Sequence, residues 1–470
     1  MVRILVDIAN SKVTTDVPDL LLALDEAFAY DVIGREFVDS YKRHFWDGKS
    51  HMFSRLTGKF PSGLLTRVID KIIEFTGKMP VVEYMYAIPV LGEPICESLH
   101  GVIPRDYQVD AVAALLKYRR GIIAAATNAG KTEAMADFLR KLNMDAIIML
   151  HRQVLMHQTA ERLSNRLQVP VGVVGDGIVK PESITVVMYQ SVVEPAVSKD
   201  TKGRIKKKKT WRVKDEFKSL LNAPVLCFDE CHNVSDDRAK TILKKSNAIY
   251  RGAFSGTPLM NDEVTNMQLI GYFGDVLFTI SNDELIQRGV SSVPTCRIIR
   301  VDTPNILSSK YDIAYSRGIV NSKERNEAIR EIASRHASLG ESVLIITKEI
   351  QHIHNLRQLI PGADYVHGSL DSRQRRDRLE AFRQGNLKTL IASTILDEGV
   401  DIANIGVLIL AAGGRSGIRL LQRIGRGLRA SESMRLVVYD FMDVGNWYLL
   451  EHSRIRIGLM KNEGFEVKLA

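Results

Sequence analysis

A chain of 470 residues, 45% hydrophobic and 25% charged, can bury several cores, and the usual domain size of roughly 150 residues divides it into about three. No apolar run approaches the roughly 18 residues that span a membrane, Met1 to Asp7 meets an acid too early for a secretory signal, and four cysteines without framework spacing exclude a disulfide scaffold. The expected setting is the cytoplasm, that of a host if the chain is viral, and a net charge of +9 with a pI near 9.2 favours a polyanionic partner through counterion release.

Residues 1–95 read as a small α+β domain, with strand-like pieces around one helical pattern from Pro18 to Tyr30. Its distinctive stretch is Phe45-Trp46-Asp47-Gly48-Lys49, followed by Gly58-Lys59-Phe60-Pro61-Ser62-Gly63-Leu64. An Asp-Gly turn carrying aromatics among Lys42, Arg43, Lys49, Arg55 and Lys59 can present Trp46 to nucleic acid. The competing reading plugs Phe45 and Trp46 into the core of the small domain.

A linker rich in proline and glycine (Pro89, Gly92, Pro94, Gly101, Pro104) leads to Arg105-Asp106-Tyr107-Gln108, which opens a helix reaching Arg120. The apolar run Gly121-Ile122-Ile123-Ala124 then feeds Ala125-Ala126-Thr127-Asn128-Ala129-Gly130-Lys131-Thr132 and a helix from Glu133 to Leu142. Strand, small-residue turn and helix together aim backbone N–H groups and a helix N-terminus at one spot, which suits the triphosphate of ATP. In this pattern Thr127, Asn128, Ala129 and Gly130 form the cradle, Lys131 reaches the β- and γ-phosphates, and Thr132 is a ligand to Mg²⁺. Ala125 stands where the pattern has glycine and is small enough for the turn.

Apolar strands at Ala146–Leu150, Ile184–Val187, Val225–Phe228 and Tyr250–Phe254 alternate with helical patterns, so residues 96–295 are expected to form a parallel-sheet α/β domain. Asp229-Glu230-Cys231-His232 follows one of these strands, at the sheet edge where doubly wound folds bind ligands. There Asp229 can hold Mg²⁺ with Thr132, and Glu230 can polarise the attacking water. Cys227, Cys231 and His232 can be read as a metal site, but Cys227 lies inside an apolar run and no fourth ligand is in view, so buried thiols are expected. The segment Lys199–Lys214 holds Lys206, Lys207, Lys208 and Lys209 in a row near Trp211. It is either a solvated loop or, with Trp211 as a stacking surface, a phosphate-contacting one.

Residues 296–470 repeat the alternation without a phosphate loop, with strands at Ser342–Ile346, Ala363–Val366, Thr389–Ala392, Val407–Leu410 and Leu436–Tyr439. Near the end, Arg423, Arg426 and Arg429 follow Gln422 at three-residue spacing, nearly one helical face. That face is either solvated or, if this half closes on the first, a source of positive charge at a transferring phosphoryl group from Arg426 and Arg429.

These motifs, in this order, resemble the superfamily 2 helicases and translocases over most of residues 100–435. Arg105, Tyr107 and Gln108 are similar to the adenine-reading element and Ala125–Thr132 to motif I. His151-Arg152-Gln153-Val154-Leu155-Met156-His157-Gln158 is similar to motif Ia, and Tyr189-Gln190-Ser191 to the next strand-contacting motif. Asp229–His232 resembles motif II with cysteine in third place, and Ser255-Gly256-Thr257-Pro258 resembles motif III, which couples hydrolysis to domain movement. Val366-His367-Gly368-Ser369, the run from Thr394 through Gly399 to Asp401, and Gln422–Arg429 resemble the later motifs.

The resemblance implies two tandem RecA-like parallel-sheet domains preceded by the small α+β domain. ATP and Mg²⁺ would lie in the cleft, with Gly399 and Asp401 among the binding residues. Lys131, Asp229, Glu230, His232, Gln422, Arg426 and Arg429 would be catalytic. Nucleic acid would run across both domains over Arg152, Gln158, Tyr189, Gln190, His367 and Thr394. Within the superfamily, Trp-Asp-Gly followed by Phe-Pro-Ser-Gly-Leu is similar to phage recombination helicases, which implies a monomer that unwinds or branch-migrates forked and four-way DNA, away from any membrane. An RNA helicase of the same fold and an ATP-switched nucleic-acid clamp are the competing functions. The presence together of Glu230, Thr257, Arg426 and Arg429 weighs against the clamp.

Overall fold

Three of the sheets in this chain carry its architecture, and the computed structural model describes them through residues 1–126, 128–196, 210–290, 295–302, 305–393, 405–414, 436–462 and 465–469. In the first sheet, β1 (Val2–Val6) turns Ile4 and Val6 inward. It pairs antiparallel with β2 (Asn10–Thr15) and parallel with β4 (Val81–Tyr84), while β3 (Lys59–Pro61) adds to β2, giving the order β3-β2-β1-β4. The helices Leu20–Ala27 and Leu65–Thr76 close the core with Leu20, Leu24, Val68 and Ile72.

Phe53 and Phe60, stacked at 5.9 Å, fill this core. Phe45 and Trp46 do not. Phe45 is 83% exposed and Trp46 is half-buried at the surface, so the core-plug reading of that turn fails.

Phe60-Pro61-Ser62-Gly63-Leu64 is a packing element. Phe60 and Leu64 are buried, and the Ser62 hydroxyl donates to Asp7 O at 2.6 Å and meets Ser11 Oγ at 2.8 Å. Gly63 lies on the backbone of the helix Glu263–Phe273, where an added Cβ would fall 2.1 Å from Ile270 O and 2.6 Å from Gly271 O. Arg67 Nε donates to Asp275 Oδ1 at 2.7 Å across the same junction, and Arg120 Nη2 donates to Ile8 O at 3.0 Å. Residues 1–125 and 130–280 consequently form one compact unit, with a hydrophobic core running from Ile4 to Phe273.

The proline- and glycine-rich segment before residue 105 has no regular structure but is tied down. Arg140 Nη1 donates to Cys96 O and Glu97 O at 2.9 and 2.8 Å, Ile95 N–H donates to Arg140 O, and His100 N–H donates to Arg166 O.

The second sheet comprises β5 (Arg120–Ala125), β6 (Ala146–Leu150), β7 (Val171–Gly175), β8 (Ile178–Lys180), β9 (Ile184–Met188), β10 (Val225–Asp229), β11 (Tyr250–Ser255) and β12 (Val276–Ile280). Their order is β8-β7-β9-β6-β10-β11-β5-β12, and every pair except β8 with β7 is parallel. Buried Ile, Val, Met and Phe on both faces of the central strands explain their continuous apolar sequences.

The second unit gathers residues 281–470 with the short turn 126–129. Its sheet is parallel throughout: β13 (Thr295–Val301), β14 (Val343–Thr347), β15 (Asp364–Val366), β16 (Thr389–Ser393), β17 (Val407–Leu410), β18 (Val437–Asp443) and β19 (Glu466–Leu469), ordered β15-β16-β14-β17-β18-β13-β19. Two hydrophobic layers, one with Leu344 and Leu408, the other with Ile345 and Ile409, cover its faces. The fold is therefore α/β, with a small mixed sheet and two large RecA-like parallel sheets, as the motif order implies.

Replacing Gly63 with Ala drives a methyl group into two helix carbonyls, and overpacking of this kind costs about 1–3 kcal/mol. Gly63→Ala is expected to lower the melting temperature of the intact chain. A melting curve superimposable on that of the parent would show that the contact is looser than the geometry states.

Candidate functional site

β5 ends at Ala125, and the chain then turns through the left-handed region at two residues, Asn128 at φ 71° and Gly130 at φ 75°. Ala129 N–H donates to Ala126 O at 3.2 Å, and Gly130 caps the helix Lys131–Leu142. Lys131 Nζ donates to Ala125 O at 3.2 Å, so its ammonium is folded back onto the turn. Thr132 follows, half-buried, in the first turn of the helix.

The helix Asp106–Tyr118 brings a second element to this turn from 22 residues upstream. Gln108 Oε1 accepts from Arg105 N–H at 2.8 Å, and Gln108 Nε2 donates to Gly130 O at 3.4 Å. A Cβ on residue 130 would lie 2.2 Å from that amide nitrogen, so the residue must be glycine for glutamine to sit there. Arg105 Nη1 donates to Tyr107 OH at 2.9 Å, which orders the remaining members of the element.

β10 delivers Asp229 at the same sheet edge, because Asp229 pairs with Phe254 of β11 and Ala124 of β5 pairs with Ser255. Asp229 Oδ1 accepts from Glu230 N–H at 3.0 Å, and Glu230 is held at φ 51°, a left-handed conformation that a glutamate adopts only under constraint. His232 Nδ1 lies 3.3 Å from Glu230 Oε2 and 3.1 Å from Ser255 Oγ, while Ser255 Oγ accepts from Thr257 N–H at 3.2 Å. Asn233 Nδ2 donates to Glu230 O at 3.0 Å and Asn261 Nδ2 to His232 O at 2.9 Å. The imidazole is thus hydrogen-bonded to the Ser255–Thr257 turn and lies against the Glu230 carboxylate. Cys227 and Cys231 are fully buried beside it, and burial pushes both thiols well up, as expected for structural cysteines.

His151 adjoins this cluster. Its carbonyl accepts from Gln190 Nε2 at 2.9 Å, its Nε2 accepts from Arg152 Nε at 2.7 Å, and its Nδ1 lies 3.4 Å from Asn233 Nδ2. Burial, assisted by the Arg152 charge, lowers its pKa to about 4.

Several residues expected to touch nucleic acid are placed otherwise. Tyr189 is 2% exposed and its ring packs edge-on against Phe228 at 6.1 Å, so the ring lies in the core. Gln190 Nε2 is committed to His151. His367, 9% exposed, stacks on Tyr365 at 5.5 Å and accepts from Ser369 N–H, leaving little ring surface. Arg152 caps the helix Gln153–Leu167 and Gln158 is half-buried on it, while Trp46 remains at the surface. Thr127, Lys206, Lys207, Lys208, Lys209, Thr394, Gly399, Asp401, Gln422, Arg426 and Arg429 lie outside the described residues. Asn233 and Asn261, which position Glu230 and His232, carried no spacing signal, since their partners are set by tertiary contact.

Residues 101–260 match the family described as Type III restriction enzyme, res subunit, and residues 324–431 match the helicase conserved C-terminal domain, together more than half of the chain. The DNA 3'-5' translocase XPB2 of Sulfurisphaera tokodaii is 25% identical over 379 residues, covering 71% of this chain and 80% of that protein. The ATP-dependent DNA helicase uvsW of Enterobacteria phage T4 is 23% identical over 457 residues, covering 89% of this chain and 86% of its own. Among solved structures, S. cerevisiae Dbp5 bound to RNA and ADP BeF3 matches with a TM-score of 0.54 at 14% identity, over 78% of this chain and 89% of that one, a likeness of fold alone.

Below its ordinary pKa of 6.5, His151 takes up a proton in the unfolded chain that the folded chain accepts only near 4, so folding loses stability as pH falls through that window. His151→Gln removes the titrating group and is expected to flatten the dependence of melting temperature on pH between 6.5 and 4. An unchanged slope would place the acid sensitivity elsewhere.

Proposed function

The chain belongs to the superfamily 2 helicases, and on that premise we propose that it is an ATP-driven DNA motor that unwinds or branch-migrates forked and four-way DNA. As a member it is an ATP-dependent DNA helicase or translocase, and superfamily 2 helicases bind ATP with Mg²⁺. The residues of this chain fit that ligand. The left-handed turn at Asn128 and Gly130 leads into a helix N-terminus, and two carboxylates, Asp229 and Glu230, stand at the neighbouring strand end.

In our reading, Gln108 recognises the base together with Arg105 and Tyr107 and reports occupancy directly to Gly130, whose carbonyl it holds. Lys131 exchanges Ala125 O for the β- and γ-phosphates. Thr132 and Asp229 would hold Mg²⁺, which when bound offsets phosphate charge. Glu230 orients the attacking water, and its backbone strain and contact with His232 keep the carboxylate from drifting. The His232–Ser255–Thr257 bonds give the hydrolysing acid a mechanical link to the loop that follows β11. Arg426 and Arg429 supply charge to the transferring phosphoryl group.

The observation that carries the choice of branched DNA is the fusion at Gly63. A small domain bearing an exposed aromatic turn is packed, within the same compact unit, against the helix Glu263–Phe273 of the domain that carries Lys131, Asp229 and Glu230, so a structure gripped by one is held in fixed register with the other. A motor that grips only backbone has no means of choosing a junction. The resemblance of the Trp-Asp-Gly and Phe-Pro-Ser-Gly-Leu stretches to phage recombination helicases supports the same choice. ATP-dependent processing of a synthetic four-way junction, compared with duplex and RNA, tests it. ATPase stimulated by RNA alone, or by duplex and junction equally with no junction product, would defeat the reading.

Two outcomes follow for the chemistry. Lys131→Ala and Glu230→Gln are expected to abolish hydrolysis while DNA binding in a filter or anisotropy assay persists, and a retained ATPase rate would remove these residues from the site. Arg426→Ala and Arg429→Ala are expected to slow turnover by roughly 10³ to 10⁵ with little change in ATP affinity. A change confined to duplex binding would assign those arginines to the DNA track.

A further inference from the structure

The aromatic turn of the N-terminal domain surrounds a solvent-open cavity of about 420 Å³, walled by Tyr41, Phe45 and Trp46 and edged by Glu36, Lys42, His44 and Asp47, whose carboxylate is engaged by His51 Nε2 at 2.8 Å. The local sequence builds it. The one-turn helix Asp39–Lys42 is capped by Arg43, His44 at a φ of 58° then reverses the chain, and the N–H groups of Phe45 and Trp46 both donate to Ser40 O, at 2.8 and 3.2 Å. Trp46 Nε1 donates to Lys49 O at 2.8 Å, and the Tyr41 ring meets Trp46 edge-on at 6.4 Å. Gly48, at φ 79°, lies beneath Tyr41, where a Cβ would fall 2.7 Å from the ring, so the tyrosine is seated by the absence of a side chain. The Arg35 guanidinium, paired with Asp31, covers Tyr41 at 5.6 Å from its centroid.

Two rings of the cavity are therefore pinned, while the third, Phe45, is 83% exposed and packs on nothing within the domain core. An aromatic ring displayed at the mouth of a space lined by two fixed rings is a receptacle for a flat π-system. The edge of the cavity supplies an acceptor in the Glu36 carboxylate and a donor in the Lys42 ammonium, the complementary pair that the polar edge of a nucleobase requires. Outside the mouth, Arg43 and Lys49 are exposed and, among the described residues, form no salt bridge, so a sugar-phosphate chain leaving the cavity meets positive charge. A base inside a duplex offers no free face, whereas one at a branch point does.

We propose that this cavity accepts one unpaired base at the branch of a forked or four-way DNA, stacking it against Phe45 with Tyr41 and Trp46 as the inner wall. The inference rests on the branched-DNA reading above and adds to it the group by which a branch is told from a duplex.

The test places 2-aminopurine, whose emission falls on stacking, at the unpaired position of a fork, in an otherwise identical blunt duplex, and in a short single strand. The full-length protein is expected to quench the fork and single-strand probes and to bind the fork about tenfold more tightly than the duplex. Phe45→Ala is expected to lose both effects, and because Phe45 is exposed its melting curve should match the parent's. Phe45→Leu keeps apolar bulk without the π-face and should behave as Phe45→Ala. Quenching retained in Phe45→Ala, or restored in Phe45→Leu, overturns the stacking assignment. If the parent processes junctions with ATP but quenches neither probe, the cavity inference falls and the motor reading stands. If it quenches the single strand but processes no junction, the motor reading falls and the cavity stands.

Discussion

β5, β11 and β10 lie side by side in parallel register, with Ala124 opposite Ser255 and Phe254 opposite Asp229, and the candidate chemistry depends on that alignment. Neighbouring strands are about 4.8 Å apart, so the phosphate turn, Ser255 and the acid pair emerge within roughly two strand spacings of one another. A slip of one residue in β10 would turn Asp229 to the other face and separate His232 from Ser255 and Glu230.

The second unit fixes its own loops by charge. Arg325 and Asp443, both buried, bond at 2.9 Å, and Arg456 bonds Asp440 at 2.8 Å. The same arginines reach the carbonyls of Ala411 at 2.8 Å and Gly414 at 3.1 Å, so the chain leaving β17 is held by two guanidinium groups. Removing one partner from such a pair strands a buried charge, commonly at 3–5 kcal/mol or so, and this makes the loop root one of the least forgiving places in the unit. In sequence, Gln422, Arg426 and Arg429 follow Gly414.

The N-terminal domain illustrates how one motif can serve packing where its composition suggests recognition. Phe60-Pro61-Ser62-Gly63-Leu64 contributes two core side chains, a hydroxyl bridging two segments, and a glycine seated on the helix Glu263–Phe273. The surface loop before it, with Phe45 exposed, is relieved of packing duty and available to a ligand.

Local pattern determined much of this protein. The strands Ala146–Leu150 and Val407–Leu410 were readable to the residue, and Val225, Tyr250, Thr389 and Ile184 mark the starts of strands one residue longer than their apolar runs. Parallel strands buried on both faces write themselves as unbroken apolar segments, and a phosphate turn is built from eight consecutive residues, so both lie within the reach of local sequence. Tertiary structure alone decided which side of a motif faces out. Tyr189 follows a strand as a surface aromatic would, yet its ring is in the core against Phe228. Gln108 meets Gly130, and Gly63 meets Ile270, across separations that no periodicity spans. Those contacts arise from the docking of whole elements on each other, a property of their summed surfaces that is absent from any single stretch of the chain.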